Sequence, residues 1–386
     1  MGFFHRHRGL TPYLLLAPGV AWLAAFFLVP LGFLAYQSLQ SGSLDFGYAF
    51  SWSWGNYWHA IRDYRAQFVR SLEYAGIATL LALVVSYPVA YWIAFRGGRW
   101  KNLLLLFIVA PFFVTYLIRT LAWQTILSDN GFVVNTLQSG NIDFGYAFTW
   151  SWGNYWHAIR DYRAQFVRSL EYAGIATVLA LVISYPVAYW IAFRGGRWKN
   201  LLLLFIVAPF FVTYLIRTLA WETILSDNGF VVNTLQSLHV LGQGDRLLAT
   251  GTAVVAGITY NFLPFMALPL YVSLEQIDGA LIEAAEDLYA SKLHAFLRVT
   301  LPLSLPGIVA GTLLTFIPAA GDFINAQLLG SPENHMIGNV IQSKFLELTD
   351  YPAAAAMSFI LMAAILVGVF AYARAVGTEQ LTGTAV

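Results

Sequence analysis

The stretch Glu283 to Pro302 reads EAAEDLYASKLHAFLRVTLP, a charged amphipathic segment set between two long apolar runs, Leu247 to Leu274 and Val299 to Gly321. Leu281, Ile282, Ala285, Leu288 and Leu293 recur at helical spacing while Glu283, Glu286 and Asp287 face elsewhere, which predicts a surface helix with one apolar stripe. Pro302 cannot continue a helix that precedes it, so it ends the segment and starts the next run.

Working outward, the chain is 59% hydrophobic and 11% charged with a mean hydropathy of +0.64. A soluble domain carries roughly a quarter charged residues, so this is the composition of an all-α, polytopic membrane protein. A spanning helix needs about 20 mainly apolar residues, and charge-poor intervals of that kind run from Gly9 to Leu44, Tyr74 to Phe95, Leu247 to Leu274, Val299 to Gly321 and Tyr351 to Ala373. The first follows HRHR, but it is too long for a signal peptide and ends in no small-residue cleavage site, so it reads as a retained helix. No Cys occurs, which excludes disulfides, thiolate metal sites and Cys nucleophiles. There is no GxxxxGK[ST] phosphate loop, and no Ser/His/Asp set or paired carboxylates mark a catalytic site. A net charge of +1 gives no sign of nucleic-acid binding.

Residues 45–139 and 143–237 are the same sequence apart from Ser51/Thr149, Leu80/Val178, Val85/Ile183 and Gln124/Glu222. Each copy reads as an aromatic entry segment, a helix (about Ser71 to Phe95 in the first copy), a basic turn and a second helix to about Leu127. Near identity points to duplication of one helical-hairpin cassette, since transporter repeats are ordinarily visible only as weak symmetry. The organisation is therefore a tail and first span (1–44), two cassettes (45–139 and 143–237) and a C-terminal part (238–386) that holds the charged loop 275–302. One span, two in each cassette and three after Leu247 make eight. With the N-terminus inside, Arg6, Arg8, Arg96, Arg99, Lys101, Arg194, Arg197, Lys199, Lys292, Arg298 and Arg374 are cytoplasmic, as the positive-inside rule prefers. Both termini and the loop around Glu283 then face the cytoplasm.

The loop also resembles the cytoplasmic docking loop of ABC importer permeases, in which Glu-Ala-Ala, three residues, Gly and nine residues precede Ile-x-Leu-Pro. Here Glu283, Ala284 and Ala285 are followed at that spacing by Val299, Leu301 and Pro302, with Asp287 and Leu288 between, and Tyr289 stands where the Gly belongs. Nearly the whole chain resembles the polyamine (spermidine/putrescine) branch of type I importer permeases. The matches are TPYLLLAPGVAWLAAFFLVP in the first span, YPVAYWIAF and RWKNLLLLFIVAPFFVTYLIRTLAW in both cassettes, YNFLPFMALPLYVSLEQID before the loop and LPLSLPGIVAGTLLTFIPAAGDF after it. The resemblance implies a bacterial inner-membrane permease core of six spans, to which this chain adds two. It also implies a second related permease, a cytoplasmic ATPase dimer that binds ATP and Mg, and an external solute-binding protein. No cofactor is implied for this chain, and its remaining partner is membrane lipid. The second cassette is expected in the core, because it joins the later helices directly, and the first at the periphery. If the family Gly serves a turn with positive φ, Tyr289 strains it; alternatively the helix continues through Tyr289.

Ionisable residues within spans suggest function, and Arg119, its copy Arg217, and Asp322 qualify. Arg217 and Asp322 fall about 25 to 30 Å up their helices at about 1.5 Å per residue, so they are placed to pair. Asp322 reads either as a carboxylate that attracts a polyamine's ammonium groups or as the partner of Arg217, while the arginines themselves reach toward the headgroups. Tyr214, Trp221, Tyr260 and Phe323 could supply cation-π contacts of about 0.5 to 2 kcal/mol each, and Asn261 in an interrupted span is a further path residue. The expectation is a permease for polyamines. The alternatives are another small solute, such as an opine, thiamine or an iron complex, and a duplicated or artificial membrane protein without transport activity.

Overall fold

Long apolar runs free of charge become long helices, because in a bilayer only intrasegment hydrogen bonds satisfy the backbone. The computed structural model describes residues 29–43, 47–98, 104, 108, 116–128, 132–139, 152–239, 241–242, 244–289 and 291–376. They fall in two compact units, one of Leu28–Pro111 and one that includes Phe112–Val386.

The smaller unit contains α1 (Val29–Ser38), an antiparallel pair β1 (Gln40–Ser43) and β2 (Gly47–Phe50) with Gln40 opposite Phe50, then α2 (Gly55–Asp63) and α3 (Arg65–Arg96). The first run therefore does not stay helical to Leu44. Gln-Ser-Gly-Ser favours turns over helix, Gly42 sits at φ +148°, and the Ser51 hydroxyl donates to Ser41 Oγ at 2.7 Å across the pair. α3 starts six residues before the predicted Ser71, and carries Pro88 inside it. Along its whole length Ile93 is the one buried residue.

The larger unit holds α4 (Tyr116–Leu127), α5 (Phe132–Ser139), α6 (Gly153–Asp161), α7 (Arg163–Arg194), α8 (Lys199–Val207), α9 (Tyr214–Leu225), α10 (Phe230–Ser237), α11 (Gly251–Glu275), α12 (Gly279–Asp287), α13 (Lys292–Ala295), α14 (Leu301–Leu303), α15 (Leu305–Ala320), α16 (Ile324–Leu329), α17 (Ile337–Leu346) and α18 (Tyr351–Val376). α11 is apolar on all sides and 78% of its spanning window is buried, as a helix without a polar face requires. It packs against α7 and α15. Small residues let the backbones approach, a device common between bilayer helices. α7 brings Ala173, Ala176, Ala180 and Ala188, all buried, and α15 brings Gly307 and Gly311. A Cβ at Gly307 would lie 2.7 Å from the Pro269 carbonyl oxygen, and one at Gly311 would lie 3.0 Å from that of Met266.

Four helices among the described residues, α3, α7, α11 and most of α18, are long and apolar enough to cross a membrane. Two bent pairs raise this to six if each is one span. The predicted eight also rests on residues 9–28 of the first run and on most of residues 99–115, which lie outside the described residues. One bend, of 92°, separates the α8 segment from α9, where Val212 and Thr213 take extended ψ values of 133° and 145°. The other, of 61°, breaks the predicted continuous span Val299 to Gly321 at Ser304. Pro302 does not end the helix before it, which runs on from Lys292 to Leu303; Pro302 and Pro306 remove donors on both sides of the bend. The freed polar groups are taken up locally, with Ser304 Oγ donating to the Leu301 carbonyl at 2.9 Å and lying 2.8 Å from the Tyr185 hydroxyl.

Polar contacts mark the two ends of the bundle. At one, Lys199 is ion-paired with Glu275 and lies 5.3 Å from the Tyr271 ring. At the other, Arg168 donates to the His335 carbonyl at 2.9 Å, the Ile337 amide to Ser169 Oγ at 2.8 Å and Tyr172 to Asn334 Oδ1 at 2.9 Å. The basic turn after α7 and the charged segment after Glu275 thus share one end.

Candidate functional site

The charged segment folds as a helix, a turn and a second helix. Asp278 caps α12 by accepting from the Ala280 amide at 3.0 Å, which satisfies one of the free donors at a helix start. α12 ends at Asp287, the Leu288 amide donates to the Ala284 carbonyl at 3.1 Å, and Tyr289 takes φ +61°. Ser291 Oγ accepts from the His294 amide at the start of α13. Of the two readings of Tyr289, the turn is the one found: the residue in the Gly position adopts the left-handed conformation that Gly would favour.

Few side chains of this chain cover that loop. Tyr289 is 99% exposed, Leu288 82% and Leu293 64%. Glu283, Ala284, Asp287 and Pro302 are exposed, and Ala285 and Leu301 half-buried. The single helix with one apolar stripe expected from the sequence is not found: the left-handed turn at Tyr289 separates Leu281, Ile282 and Ala285 on α12 from Leu293 on α13, and what remains is a set of exposed apolar side chains, Leu281, Leu288 and Leu293. The loop is tied to the bundle just beyond α13. There the ring of Phe296 meets Tyr185 edge-on at 5.6 Å and 88°, and Tyr189 at 6.1 Å and 76°, within a π-helical turn Phe296–Thr300. Together with the Tyr185–Ser304 contact this makes a joint between the loop and α7. The only sign of this joint in the sequence is Ser304 standing between two prolines.

The second set of predicted residues lies inside the bundle, where α9, α11 and α16 meet. Asp322 is 7% exposed; its carboxylate accepts from the Ile324 amide at 3.1 Å and from Asn325 Nδ2 at 2.7 Å. Asn325 Nδ2 also donates to the Tyr214 hydroxyl at 2.6 Å, and its Oδ1 accepts from Asn261 Nδ2 at 3.2 Å. Asn261 Nδ2 reaches Thr218 Oγ1 at 3.2 Å as well. Trp221 and Tyr260 pack edge-to-face at 5.7 Å, and the Phe323 carbonyl accepts from Asn339 at 2.9 Å. The structure thus gathers Tyr214, Asn261 and Asp322 into one network with Thr218 and Asn325. The last two were not anticipated, because a single Asn or Thr in an apolar run does not reveal its partners.

Arg217 departs from both roles expected of it. It does not reach toward headgroups; it is buried, 6% exposed. It forms no ion pair with Asp322 among the described residues. Its guanidinium carbon instead lies 5.7 Å from the Tyr214 ring and 6.0 Å from those of Phe210 and Tyr260, while Nε and Nη1 are buried without hydrogen-bond partners. Tyr214 stands between the two charges, with its ring on the cation and its hydroxyl in the carboxylate's network. In this conformation Arg217 lies against the faces of three aromatic rings. Among the described residues no group of three or more His, Asp or Glu is placed to hold a metal ion.

Residues 184–376 match the family model described as "Binding-protein-dependent transport system inner membrane component". The chain is 41% identical over 209 residues to the spermidine/putrescine transport system permease protein PotB of Escherichia coli K12, covering 54% of this chain and 76% of that protein. It is 40% identical over 231 residues to the PotB of Haemophilus influenzae, covering 60% of this chain and 81% of that protein. A bacterial ABC transporter involved in the import of the acidic polysaccharide alginate superposes with a TM-score of 0.47 at 19% identity, over 74% of this chain and 99% of that chain. With the family model spanning half its length, and relatives of this identity covered over three quarters or more of theirs, the chain belongs to the binding-protein-dependent transport system inner membrane components: it is a multi-pass permease subunit of a transporter and not an enzyme.

Proposed function

We propose that this permease forms the translocation path for polyamines such as spermidine and putrescine. The observation that carries the reading is the 41% identity to a permease named for those solutes. In this reading an extracytoplasmic solute-binding protein delivers the cation and a second, homologous permease completes the path. A cytoplasmic ATPase dimer, which binds ATP and Mg, docks on the loop of Glu283, Ala284, Ala285, Asp287, Leu288 and Tyr289. The exposed apolar side chains Leu281, Leu288 and Leu293 there support docking, since the chain has no phosphate loop of its own and must receive mechanical work through a contact. The basic turn Arg194 to Lys199 lies at the same end as the loop, which supports a cytoplasmic place for both. Asp322 is the carboxylate of the path, with Tyr214, Trp221, Tyr260, Phe323 and Asn261 around it. Asp322 is buried here, and in this reading it becomes accessible to solute in the other state of a two-state cycle.

One observation favours a second reading, a solute that itself carries a carboxylate, such as an opine. Arg217 presents two buried nitrogens without hydrogen-bond partners, and a buried guanidinium is well suited to a carboxylate.

The deciding experiment assembles the chain with the cognate ATPase, second permease and binding protein in lipid nanodiscs. ATP hydrolysis is then measured with the binding protein empty, loaded with spermidine, or loaded with a carboxylated amine. Stimulation by spermidine, lost in Asp322→Asn, is the expected result. Stimulation only by the carboxylated amine would transfer the assignment to the second reading. A stable complex that neither solute stimulates, in the wild-type chain and in Tyr289→Gly, would overturn both.

A further inference from the structure

Helix α3 of the first cassette exposes the face that α7 of the second buries. On α7 the core contacts are made by Ser169, Ala173, Ala176, Ser184, Ala188 and Ile191, all buried. At the same places in α3 the sequence has Ser71, Ala75, Ala78, Ser86, Ala90 and Ile93, identical residue for residue, and of these only Ile93 is buried. The two helices differ at two positions. Leu80 stands for Val178, which is 59% exposed where it sits, and Val85 stands for Ile183, which packs half-buried against the core.

The slot beside α11 and α15 can therefore distinguish the two copies by little more than one methylene. The partner helices repeat the argument. α4 carries Tyr116, Arg119 and Trp123 in the order in which α9 carries Tyr214, Arg217 and Trp221, and Gln124 replaces Glu222 as the one difference between them. Connectivity does not separate the copies either. Each copy reads from the sequence as a hairpin of two spans, so the unused copy is an insertion before the core copy in one arrangement and after it in the other.

We propose that the exposed face of α3 is a second occupant for the α11/α15 slot, and that the chain folds into two isomers, one with each cassette in the core. The form with α7 in place is the major one. A buried Ile→Val difference shifts such an equilibrium by roughly two- to tenfold, and Ile183 is only half-buried, so the other form is a substantial minority. Two packings of one sequence with similar free energy are a known route to fold switching. In the second isomer Ser71, Tyr74 and Tyr87 take the hydrogen-bonding places of Ser169, Tyr172 and Tyr185.

The chain has no cysteine, so introduced pairs report cleanly. Ser169 Oγ lies 2.8 Å from the Ile337 amide, and S169C with I337C should cross-link through a short bifunctional thiol reagent. S71C with I337C should cross-link within the same chain, at the lower yield of the minor isomer. Ala176→Trp, which puts an indole where a fully buried alanine sits, is the second variant. The expected result is that the chain remains folded and the S71C–I337C yield rises severalfold. Ala78→Trp, which blocks the minor isomer, should abolish the S71C–I337C link and raise the S169C–I337C yield slightly. Absence of the S71C–I337C link in both backgrounds while S169C–I337C links efficiently would overturn the proposal. So would aggregation of the Ala176→Trp chain, or links found solely between two chains.

Discussion

Tyr289 holds a left-handed backbone conformation at 99% exposure, so its ring packs on almost nothing in this chain. A residue with a Cβ in that conformation costs about 1 to 2 kcal/mol, and glycine recovers it less the roughly 0.4 to 1 kcal/mol by which it loosens the unfolded chain. Tyr289→Gly should therefore leave global stability unchanged within about 1 kcal/mol while relaxing the turn. In the assembled importer, solute-stimulated ATPase activity should rise; equal stimulation in both forms would show that the turn tolerates tyrosine and that docking does not depend on it. The motif spacing marked this position, and the dihedral confirms that a turn stands there. Arg217 and Asp322 were legible only as costly residues in apolar runs. Their partners come from α9, α11 and α16, segments far apart in sequence, so helical rise could suggest that two charges share a depth but not that an aromatic ring would stand between them. Asn325 was silent for the same reason.

Helices were read from their apolar runs, and α7, α11 and α18 lie where those runs predicted. What the runs could not show was where a span bends. The Val299 to Gly321 run is apolar throughout, yet Ser304 divides it, because two prolines remove backbone donors and the Tyr185 hydroxyl supplies a partner from another helix. The close approach of α11 and α15 is likewise visible in sequence only as two glycines four residues apart. Gly311→Val places branched carbon against Met266, where even a Cβ would come within 2.7 Å of its sulfur and 3.0 Å of its carbonyl oxygen. Overpacking of this kind costs about 1 to 3 kcal/mol. The unfolding temperature in detergent, followed by tryptophan fluorescence, should fall by several degrees. Gly368→Val is the comparison, since a Cβ there meets nothing within 4 Å, and its transition should not move. A fall for both would point to helix propensity and away from the α11–α15 contact.

For the molecule as a whole, the duplication is the unusual feature, and it makes a prediction about what is dispensable. Removing residues 45–142 joins Leu44 directly to Asp143 and leaves one cassette. The shortened chain should insert and unfold within about 2 °C of the full one, the shift that roughly 1 kcal/mol produces in a chain of about 300 residues. Loss of the folded protein would show that the first cassette contributes to stability after all. The sequence by itself determined the membrane class, the helical architecture, the repeat, the charged loop and its likeness to importer permeases. Those follow from composition, from period and from residues adjacent in the chain. Only the tertiary structure decided which copy of a nearly identical helix is buried, that Arg217 rests on aromatic rings and not on Asp322, and that Ser304 is a bend. Burial and pairing depend on which surfaces meet across long separations, and two segments of the same sequence present the same surface until a neighbour covers one of them.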